Sequence, residues 1–347
     1  FFFPLWFDVK DHYGIAGYDR QGYDKPFALL FFQERMQAIH RAWLRQMLTA
    51  ENPYTGVPLA DEPAVAIVEI VNEDSLLFWT FTPDRVPPEH WAELERRFAR
   101  WLAKRYGSCE KARAAWGGAD HAHDALQASR RMGLHGIWHC TGEGLKRSPE
   151  PKRRRLRDQV RFLAETQRGY YAATADYIRD DLGYGGMISC SNWQTADARR
   201  LGPLERWSYT VGDVIDKHGY FSGPHEGEGS SYSVRTGHRF ESLSALRVPQ
   251  RVPLAVVQVA GRPQIVSELG WPQPNRFRAA ATMLGAAAAA VQGIDGLMWF
   301  AVGDCSLTDT SLRKFQLGDP LLAGGFPAAA LAWRSGYISQ APEAVRR

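Results

Sequence analysis

The chain has 347 residues, of which 45% are hydrophobic and 23% charged, and its formal net charge is +4. A chain of this length and hydrophobic content buries a large core, either as one big domain or as two ordinary ones. A net charge this close to neutral gives no case for nucleic acid as a partner. No apolar run is long enough for a transmembrane helix, so a membrane partner is not expected either.

The number of tryptophans is a first indication of the kind of ligand. Twelve residues are Trp, and Trp beyond the needs of packing often lines clefts that bind the flat apolar face of a sugar ring. For most individual Trp residues a place in the core is the better prediction.

The cysteines are widely spaced and form no zinc pattern, which predicts scattered thiols and leaves open whether two of them form a disulfide. They are Cys109, Cys140, Cys190 and Cys305.

The first part of the chain predicts a strand, a helix and a second strand. Residues 1–9 are apolar and typical of a strand, and residues 31–48 place apolar side chains at helical spacing. The β-branched run over 65–71 has no helical period and predicts a strand buried on both faces. This order is that of a βαβ unit in a parallel sheet.

Residues 76–185 form a long excursion, mostly helical in pattern, that ends in a crossover helix. Its clearest helices are predicted over 88–106 and 148–181, and the second contains the basic run Lys152–Arg157, which is predicted to be a solvated helix face. The excursion is far longer than an ordinary connection between a strand and a helix. It is therefore interpreted as an insertion.

Strand patterns then recur to the end of the chain. Strands are predicted over 186–191, over 209–215 running on into 218–221, over 264–268 and over 296–300, which makes six with the two before them. A mobile loop is predicted over 222–237, an Ala-rich helix over 279–291 and a last helix near 328–335. No linker interrupts the series, so a single domain over 1–347 is predicted.

Two of these strands end in a glutamate. Glu73 follows Asn72 at the end of the run over 64–71, and Glu268 ends the run over 263–267. Because a carboxylate is costly to bury without a partner, a Glu at the end of a core strand is either satisfied locally or retained for chemistry. Two such strands with helices between them suggest two carboxylates at the mouth of a parallel barrel.

The order of polar residues at the strand ends carries a family resemblance. Asn72-Glu73, then His218 and Tyr220, then Glu268, then Trp299 resembles the clan A retaining β-glycosidases, most closely glycoside hydrolase family 5 and its relatives. The resemblance covers nearly the whole chain. It implies an α/β fold, the (β/α)₈ TIM barrel, of which this chain contains strands three to eight. The first two β/α units are expected before residue 1, and the helical insertion follows strand four.

The resemblance also implies the catalytic roles. A retaining glycosidase uses one carboxyl group to protonate the leaving oxygen and a second, ~5–5.5 Å away, to attack the anomeric carbon. Glu73 is then the acid/base and Glu268 the nucleophile. Asn72 holds the substrate 2-hydroxyl, Tyr220 hydrogen-bonds the nucleophile, and His218 orients the acid/base or the sugar.

Further substrate contacts follow from the same resemblance. Trp299 forms the floor under the reacting sugar, and Trp193 forms a wall beside Asn192. His12 is the candidate for the His expected after strand three, although Lys10 and Asp11 make that alignment loose. The family also carries an Arg on strand two, a region that this chain does not include. Solvated loops are the prediction for Asp304, His225, Glu226 and Glu228.

The expected activity is the cleavage of β-glycosidic bonds in oligo- or polysaccharides by double displacement. Two carboxylates suffice for it, so no cofactor and no metal is expected. The carbohydrate partner is left open between cellulose- or mannan-type glycans and smaller β-glycosides, and so is the oligomeric state. The habit of the family makes a secreted or periplasmic location the expectation, although no signal peptide is visible.

Three alternatives stay open beside this interpretation. A non-catalytic carbohydrate-binding barrel keeps the tryptophans but does not need Glu73 and Glu268. A transglycosylase uses the same two glutamates. A metal-dependent hydrolase needs His and Asp clusters at strand ends, whereas His121-Ala-His123 lies within the insertion and is interpreted as a pair of surface residues.

Overall fold

The computed structural model describes residues 2–126, 130–254, 258–302 and 313–342. These residues fall into two compact units, Phe1–Val214 and Ile215–Arg347. The single catalytic domain over 1–347 stays a prediction.

The first unit is rich in helices. They are α1 Glu34–Thr49, α2 Pro88–Tyr106, α3 Cys109–Trp116, α4 Gly142–Lys146, α5 Glu150–Asp176 and α6 Gly202–Tyr209. Helix α1 begins where the side chain of Gln33 accepts a hydrogen bond from the backbone N–H of Met36 at 2.6 Å, which satisfies one of the N–H groups that a helix start leaves unpaired. Helix α2 has the predicted bounds and ends at Gly107, whose φ of 87° suits a glycine.

Parallel pairing organises the strands of the first unit. Strand β1 (Ile67–Glu69) pairs in parallel with β2 (Met187–Ser189), Glu69 lying opposite Ser189. Parallel bridges join Phe2 to Val71 and Ser189 to Val214. Within the described residues, the sheet at this place is therefore parallel and reached through helices, as the sequence predicts.

Two strand predictions in this unit were too long. Among the described residues of the strand predicted over 1–9, only Phe2 pairs, because Pro4, which has no N–H, begins a 3-10 turn at Pro4–Trp6. The strand predicted over 209–215 begins late, because α6 extends to Tyr209 and a turn follows it. The pairing starts at Val214.

The second unit is a parallel sheet beside short helices. Its elements are β3 His218–Tyr220, β4 His225–Glu226, β5 Arg239–Phe240, β6 Ile265–Gly270, α7 Ala281–Gln292, β7 Gly296–Trp299, α8 Pro320–Ala323 and α9 Phe326–Arg334. The strands β3, β6 and β7 lie in that order, all parallel, and β4 pairs with β5 as an antiparallel ribbon. The predicted loop over 222–237 thus contains one short strand.

The core of the second unit lies between its sheet and α7. Leu269, Val266 and Trp271 are buried there with Phe221 and Leu254. Helix α7 presents small alanines to this core, which lets the sheet approach the helix closely. No helix among the described residues is long and apolar enough to cross a membrane.

Cys109, Cys140 and Cys190 are free thiols, whereas Cys305 and Asp304 lie outside the described residues. The described fold is of the mixed α/β class that the sequence predicts. The count of eight barrel strands, and the two β/α units before residue 1, stay predictions.

Candidate active site

Glu73 occupies an unusual backbone position just past strand β1. The ladder continues beyond the assigned strand, since the N–H groups of Ile70 and Val71 donate to the carbonyls of Ser189 and Cys190. Glu73 then adopts a φ of +50°. For a residue with a side chain this conformation costs free energy and is concentrated at functional sites. The chain thus turns abruptly where the carboxylate is placed.

Asn192 connects the ends of the two strands of the first unit. Its side-chain oxygen accepts the backbone N–H of Glu73 at 3.0 Å. Its amide nitrogen donates to Oε1 of Glu69 at 2.7 Å and to Oδ1 of Asn72 at 2.9 Å. Asn192 is fully buried and Asn72 nearly so, so these bonds are sheltered from water. The structure brings Asn72, Glu73 and Asn192 together, as predicted for neighbouring strand ends.

The segment after Glu73 is fixed by buried polar groups. Asp74 accepts the backbone N–H groups of Ala28 at 2.8 Å and Ser75 at 2.9 Å, and burial raises the pKa of its carboxyl to about 7. The hydroxyl of Ser75 donates to Glu205 at 2.7 Å. Burial also raises the pKa of Glu205. The strained turn at Glu73 is therefore followed by a rigid anchor.

The two remaining predicted site residues of the first unit have different surroundings. The backbone N–H of Trp193 donates to the hydroxyl of Tyr209 at 3.2 Å, and its ring meets Phe78 edge-on at 5.4 Å. Trp193 is therefore held firmly directly after Asn192. His12 lies on an exposed 3-10 turn, where its ring centroid is 4.2 Å from that of Tyr13.

Glu268 is the centre of a second polar group, within the second unit. In the parallel register His218 lies opposite Glu268, and Tyr220 lies opposite Gly270. The hydroxyl of Tyr220 donates a hydrogen bond to Oε2 of Glu268, and Nδ1 of His218 lies 3.2 Å from the same oxygen. The structure therefore brings together the three residues that the sequence predicts for the nucleophile and its partners.

The ring of His218 is itself held through its second nitrogen, Nε2. Its Nε2 lies 3.1 Å from the hydroxyl of Ser267, and the N–H of Ser267 donates to Asp216 at 3.0 Å. The side chain of His218 is almost fully buried, whereas that of Glu268 is 17% exposed. The carboxylate of Glu268 is thus accessible to solvent, whereas the imidazole of His218 beside it is buried and held in place.

Space next to Gly270 admits the ring of Tyr220. A Cβ placed on Gly270 meets the Tyr220 ring at 3.1 Å, so a larger residue there would displace the ring that donates to Glu268. Tyr220 is also packed by Phe300 and Phe315, at ring distances of 6.0 and 5.1 Å. The tyrosine hydroxyl is therefore positioned by packing as well as by its hydrogen bond.

Trp299 packs toward helix α7. A Cβ placed on Gly285 meets the Trp299 ring at 2.9 Å, and Trp271 lies 6.1 Å from it. Trp299 and Leu297 share this face of β7 and pack against the core, whereas Met298 between them is exposed. The structure gives Trp299 a packing role, and its role as a sugar floor rests on the resemblance alone.

The predicted solvated residues of the second unit lie in the β4–β5 ribbon region. Glu226 and Glu228 are exposed, and Nε2 of His225 lies 3.0 Å from Nδ1 of His238.

Several residues that support the site were absent from the sequence-based prediction. They are Glu69, Asp74, Glu205, Asp216, Ser267 and Phe300. Their importance depends on burial and on partners far along the chain. Of these, only Glu69 and Asp74 had a local indication, as acidic residues adjoining a core strand.

Solved structures provide the comparisons. The chain is similar to an exo-β-agarase, with 11% identity, a TM-score of 0.52, and coverage of 89% of this chain and 40% of that chain. It is similar to another agarase, with 12% identity, a TM-score of 0.53, and coverage of 89% and 41%. An endo-β-1,4-mannanase from Thermotoga petrophila matches with 14% identity, a TM-score of 0.44, and coverage of 92% and 53%.

The chain therefore spans about half or less of the length of these structures. Neither the protein-family models nor the curated proteins give a match. At such low identity the likeness concerns the fold. The chain shares its fold with the two agarases.

Proposed function

We propose that this chain is the catalytic part of a retaining β-glycoside hydrolase. The observation that supports the proposal best is the arrangement at Glu268. Its carboxylate belongs to core strand β6, remains partly exposed, and has a phenol and an imidazole on one oxygen. Hydrogen bonds to the ionised form favour it, and an ionised carboxylate is what a nucleophile at an anomeric carbon requires.

In the first step Glu268 forms a bond to the anomeric carbon while the bond to the leaving oxygen breaks. Glu73, as the carboxylic acid, gives its proton to that oxygen. In the second step a water molecule attacks the anomeric carbon, Glu73 takes a proton from the water, and Glu268 leaves. Retention of configuration follows because the anomeric carbon is inverted twice.

The residues of the first unit suit the acid/base half of this scheme. The turn at Glu73 is held by Asn192 and by the buried network that begins at Asp74. The backbone from which the Glu73 side chain extends is therefore held in place. Asn72 is held by Asn192 through its side-chain oxygen, which leaves its amide N–H₂ as the donor to the substrate 2-hydroxyl. That contact strengthens in the transition state of such enzymes.

The substrate that we propose is a β-linked oligo- or polysaccharide. The agarases and the mannanase named in the comparisons make agarose and β-mannan oligosaccharides the first to assay, beside cello-oligosaccharides and aryl β-glycosides. Proton NMR of the first product separates retention from inversion. It also separates hydrolysis from transfer to a second sugar.

The decisive experiment is Glu268→Ala with added azide. The variant should have no hydrolytic activity, and azide should restore turnover of an activated aryl β-glycoside, giving the α-glycosyl azide, because a small anion replaces the missing nucleophile. The matched control is Glu241→Ala, an exposed glutamate of the same unit, which should behave as the wild type. Full activity of Glu268→Ala would overturn the proposal.

A further inference from the structure

A cavity of about 730 Å³ lies within the first unit, between helices α4 and α5 and the start of α6. Small-molecule sites in proteins have volumes of roughly 300–1,000 Å³, so this cavity has the size of a ligand site. None of the residues proposed above for catalysis lines it. The chemistry of its lining therefore decides which kind of molecule fits.

The walls of the cavity are tied to one another by hydrogen bonds. The side chain of Gln167 in α5 donates to the carboxylate of Glu205 in α6 at 3.0 Å, and both residues are buried. Asp197, in the segment before α6, accepts the backbone N–H of Gly142 at the start of α4 at 2.8 Å. The cavity is thus formed before a ligand binds, which lowers the entropic cost of binding.

The floor of the cavity is aliphatic. Leu156, Val160 and Ala164 follow one another at four-residue spacing on α5, which places them on one face of the helix, and all three are buried. Leu201 is buried on the opposite wall, and Trp207 contributes the only aromatic ring among the described lining residues. None of the described lining residues carries a hydroxyl, amide or imidazole group.

Such a lining argues for an alkyl chain and against a sugar. Sugar sites present aromatic faces together with polar side chains that bond the hydroxyl groups, whereas this cavity offers one ring and no neutral polar side chain of that kind among its described residues. An alkyl chain needs only the removal of its CH₂ groups from water, which an aliphatic floor provides.

The basic run Lys152–Arg157, predicted as a solvated helix face, divides into residues with different surroundings. Arg155 is fully buried and lies 2.6 Å from Asp124, so for this residue the prediction was wrong. Arg157 is exposed and lines the cavity. Its guanidinium makes no hydrogen bond or ion pair with any residue that the structure describes.

Three other cations along the edge of the cavity are paired with glutamates. The pairs, at 2.7–2.8 Å, are Lys146 with Glu143, Arg153 with Glu150 and Arg161 with Glu165. Glu165 is the only acidic residue among the described lining residues, and its second oxygen accepts the indole N–H of Trp101 at 2.7 Å. These charges are therefore largely balanced.

Arg200 provides a second cation, on the wall opposite Arg157. Its side chain is exposed and makes no hydrogen bond or ion pair within the described parts of the chain. The nearby carboxylate of Asp197 already accepts three backbone N–H groups. Each wall thus contributes one arginine without a directly bonded acid, and the charge left at the edge of the aliphatic floor is positive.

We propose that this cavity binds a small amphiphilic anion, a carboxylate that carries an alkyl chain. The chain lies on the aliphatic floor, and the carboxylate lies at the edge, where Arg157 and Arg200 supply the positive charge. Guanidinium groups suit this role, because their planar N–H donors match the two oxygens of a carboxylate. The proposal does not depend on the two-carboxylate chemistry described above, so the two can fail separately.

The test is calorimetric titration of the purified chain with octanoate, hexanoate and 1-octanol. We expect one equivalent of octanoate to bind, more weakly at high salt because salt screens the charges. Hexanoate, which lacks two CH₂ groups, should bind roughly 15-fold more weakly. The double variant Arg157→Gln/Arg200→Gln should weaken octanoate binding by at least about fivefold and leave the weak binding of 1-octanol unchanged.

The matched control removes the same charge from neighbouring exposed positions that do not line the cavity, as Arg154→Gln/Arg199→Gln, and should bind octanoate like the wild type. All four changes are at exposed residues, so folding should be retained. Equal affinity for octanoate and 1-octanol, or wild-type affinity in Arg157→Gln/Arg200→Gln, would overturn the proposal. Binding to phosphatidylglycerol vesicles without binding of octanoate would also overturn it, in favour of a membrane surface.

Discussion

The hydroxyl of Tyr220 donates a hydrogen bond to Oε2 of Glu268, the oxygen that His218 also approaches. A hydrogen bond to a charged group contributes about 1.5–3 kcal/mol. If Glu268 is the nucleophile, Tyr220→Phe should lower kcat/KM by about 10- to 100-fold, because the hydrogen bond to the charged group is lost. Tyr337→Phe, at a highly exposed site of the same unit, is the control. An unchanged kcat/KM for Tyr220→Phe would argue against the role of this bond.

Removal of Glu73 should affect substrates according to their leaving groups. A poor leaving group needs the proton that Glu73 is proposed to supply, whereas a good one departs without it. In Glu73→Ala we therefore expect kcat/KM for natural saccharides to fall by about 10²–10⁴, with a much smaller loss for dinitrophenyl glycosides. The measurement is a series of aryl glycosides of graded leaving-group acidity. Equal losses across the series would exclude the acid role.

Asn192→Ala tests whether one buried amide holds the acid/base region. The change leaves the N–H of Glu73 and the side chains of Asn72 and Glu69 without their partner. A buried polar group without a partner costs about 1–3 kcal/mol, so the free energy of unfolding in urea should fall by at least that much and activity should fall with it. Gln194→Ala, two residues on and exposed, should change neither.

The buried carboxyl of Asp74 should make stability depend on pH. Its pKa is raised from 3.8 to about 7 by burial, so between these values the folded protein binds more protons than the unfolded chain. The free energy of unfolding should then fall as pH rises from about 4 to about 7. Asp74→Asn cannot titrate and should flatten this part of the curve, whereas Asp84→Asn, at an exposed site, should retain it. The check is urea unfolding at several pH values, and equal slopes in all three proteins would contradict the assignment.

Two glycines in helices should respond to alanine in opposite directions. In α7, a Cβ on Gly285 meets Trp299 at 2.9 Å and Leu269 at 3.2 Å, so Gly285→Ala should overpack the core and cost about 1–3 kcal/mol. In α5, Gly169 is exposed with no atom within 4 Å of such a Cβ. Gly169→Ala should therefore stabilise by about 0.5–1 kcal/mol, as helix propensity predicts. Thermal unfolding measures the change in stability of both variants. Stabilisation by Gly285→Ala would show that the Trp299 ring moves aside at little cost.

The sequence by itself determined the features that depend on local spacing. The apolar period of α2 and the proline at its start sufficed for its bounds, and the β-branched runs before Glu73 and Glu268 sufficed for two parallel strands, although the one before Glu73 is half-buried and not buried on both faces as predicted. The same locality explains the errors, since the apolar run after Phe2 looked like a strand although Pro4 begins a turn.

Only the tertiary structure decided which distant residues contact these elements. Asp74 is held by the backbone N–H of Ala28, far along the chain, and the place of Trp299 is set by Gly285 of α7. Periodicity says which face of an element is apolar, but it does not say which distant residue covers that face. For this reason the residues proposed for chemistry could be predicted from the chain, whereas the partners that hold them could not.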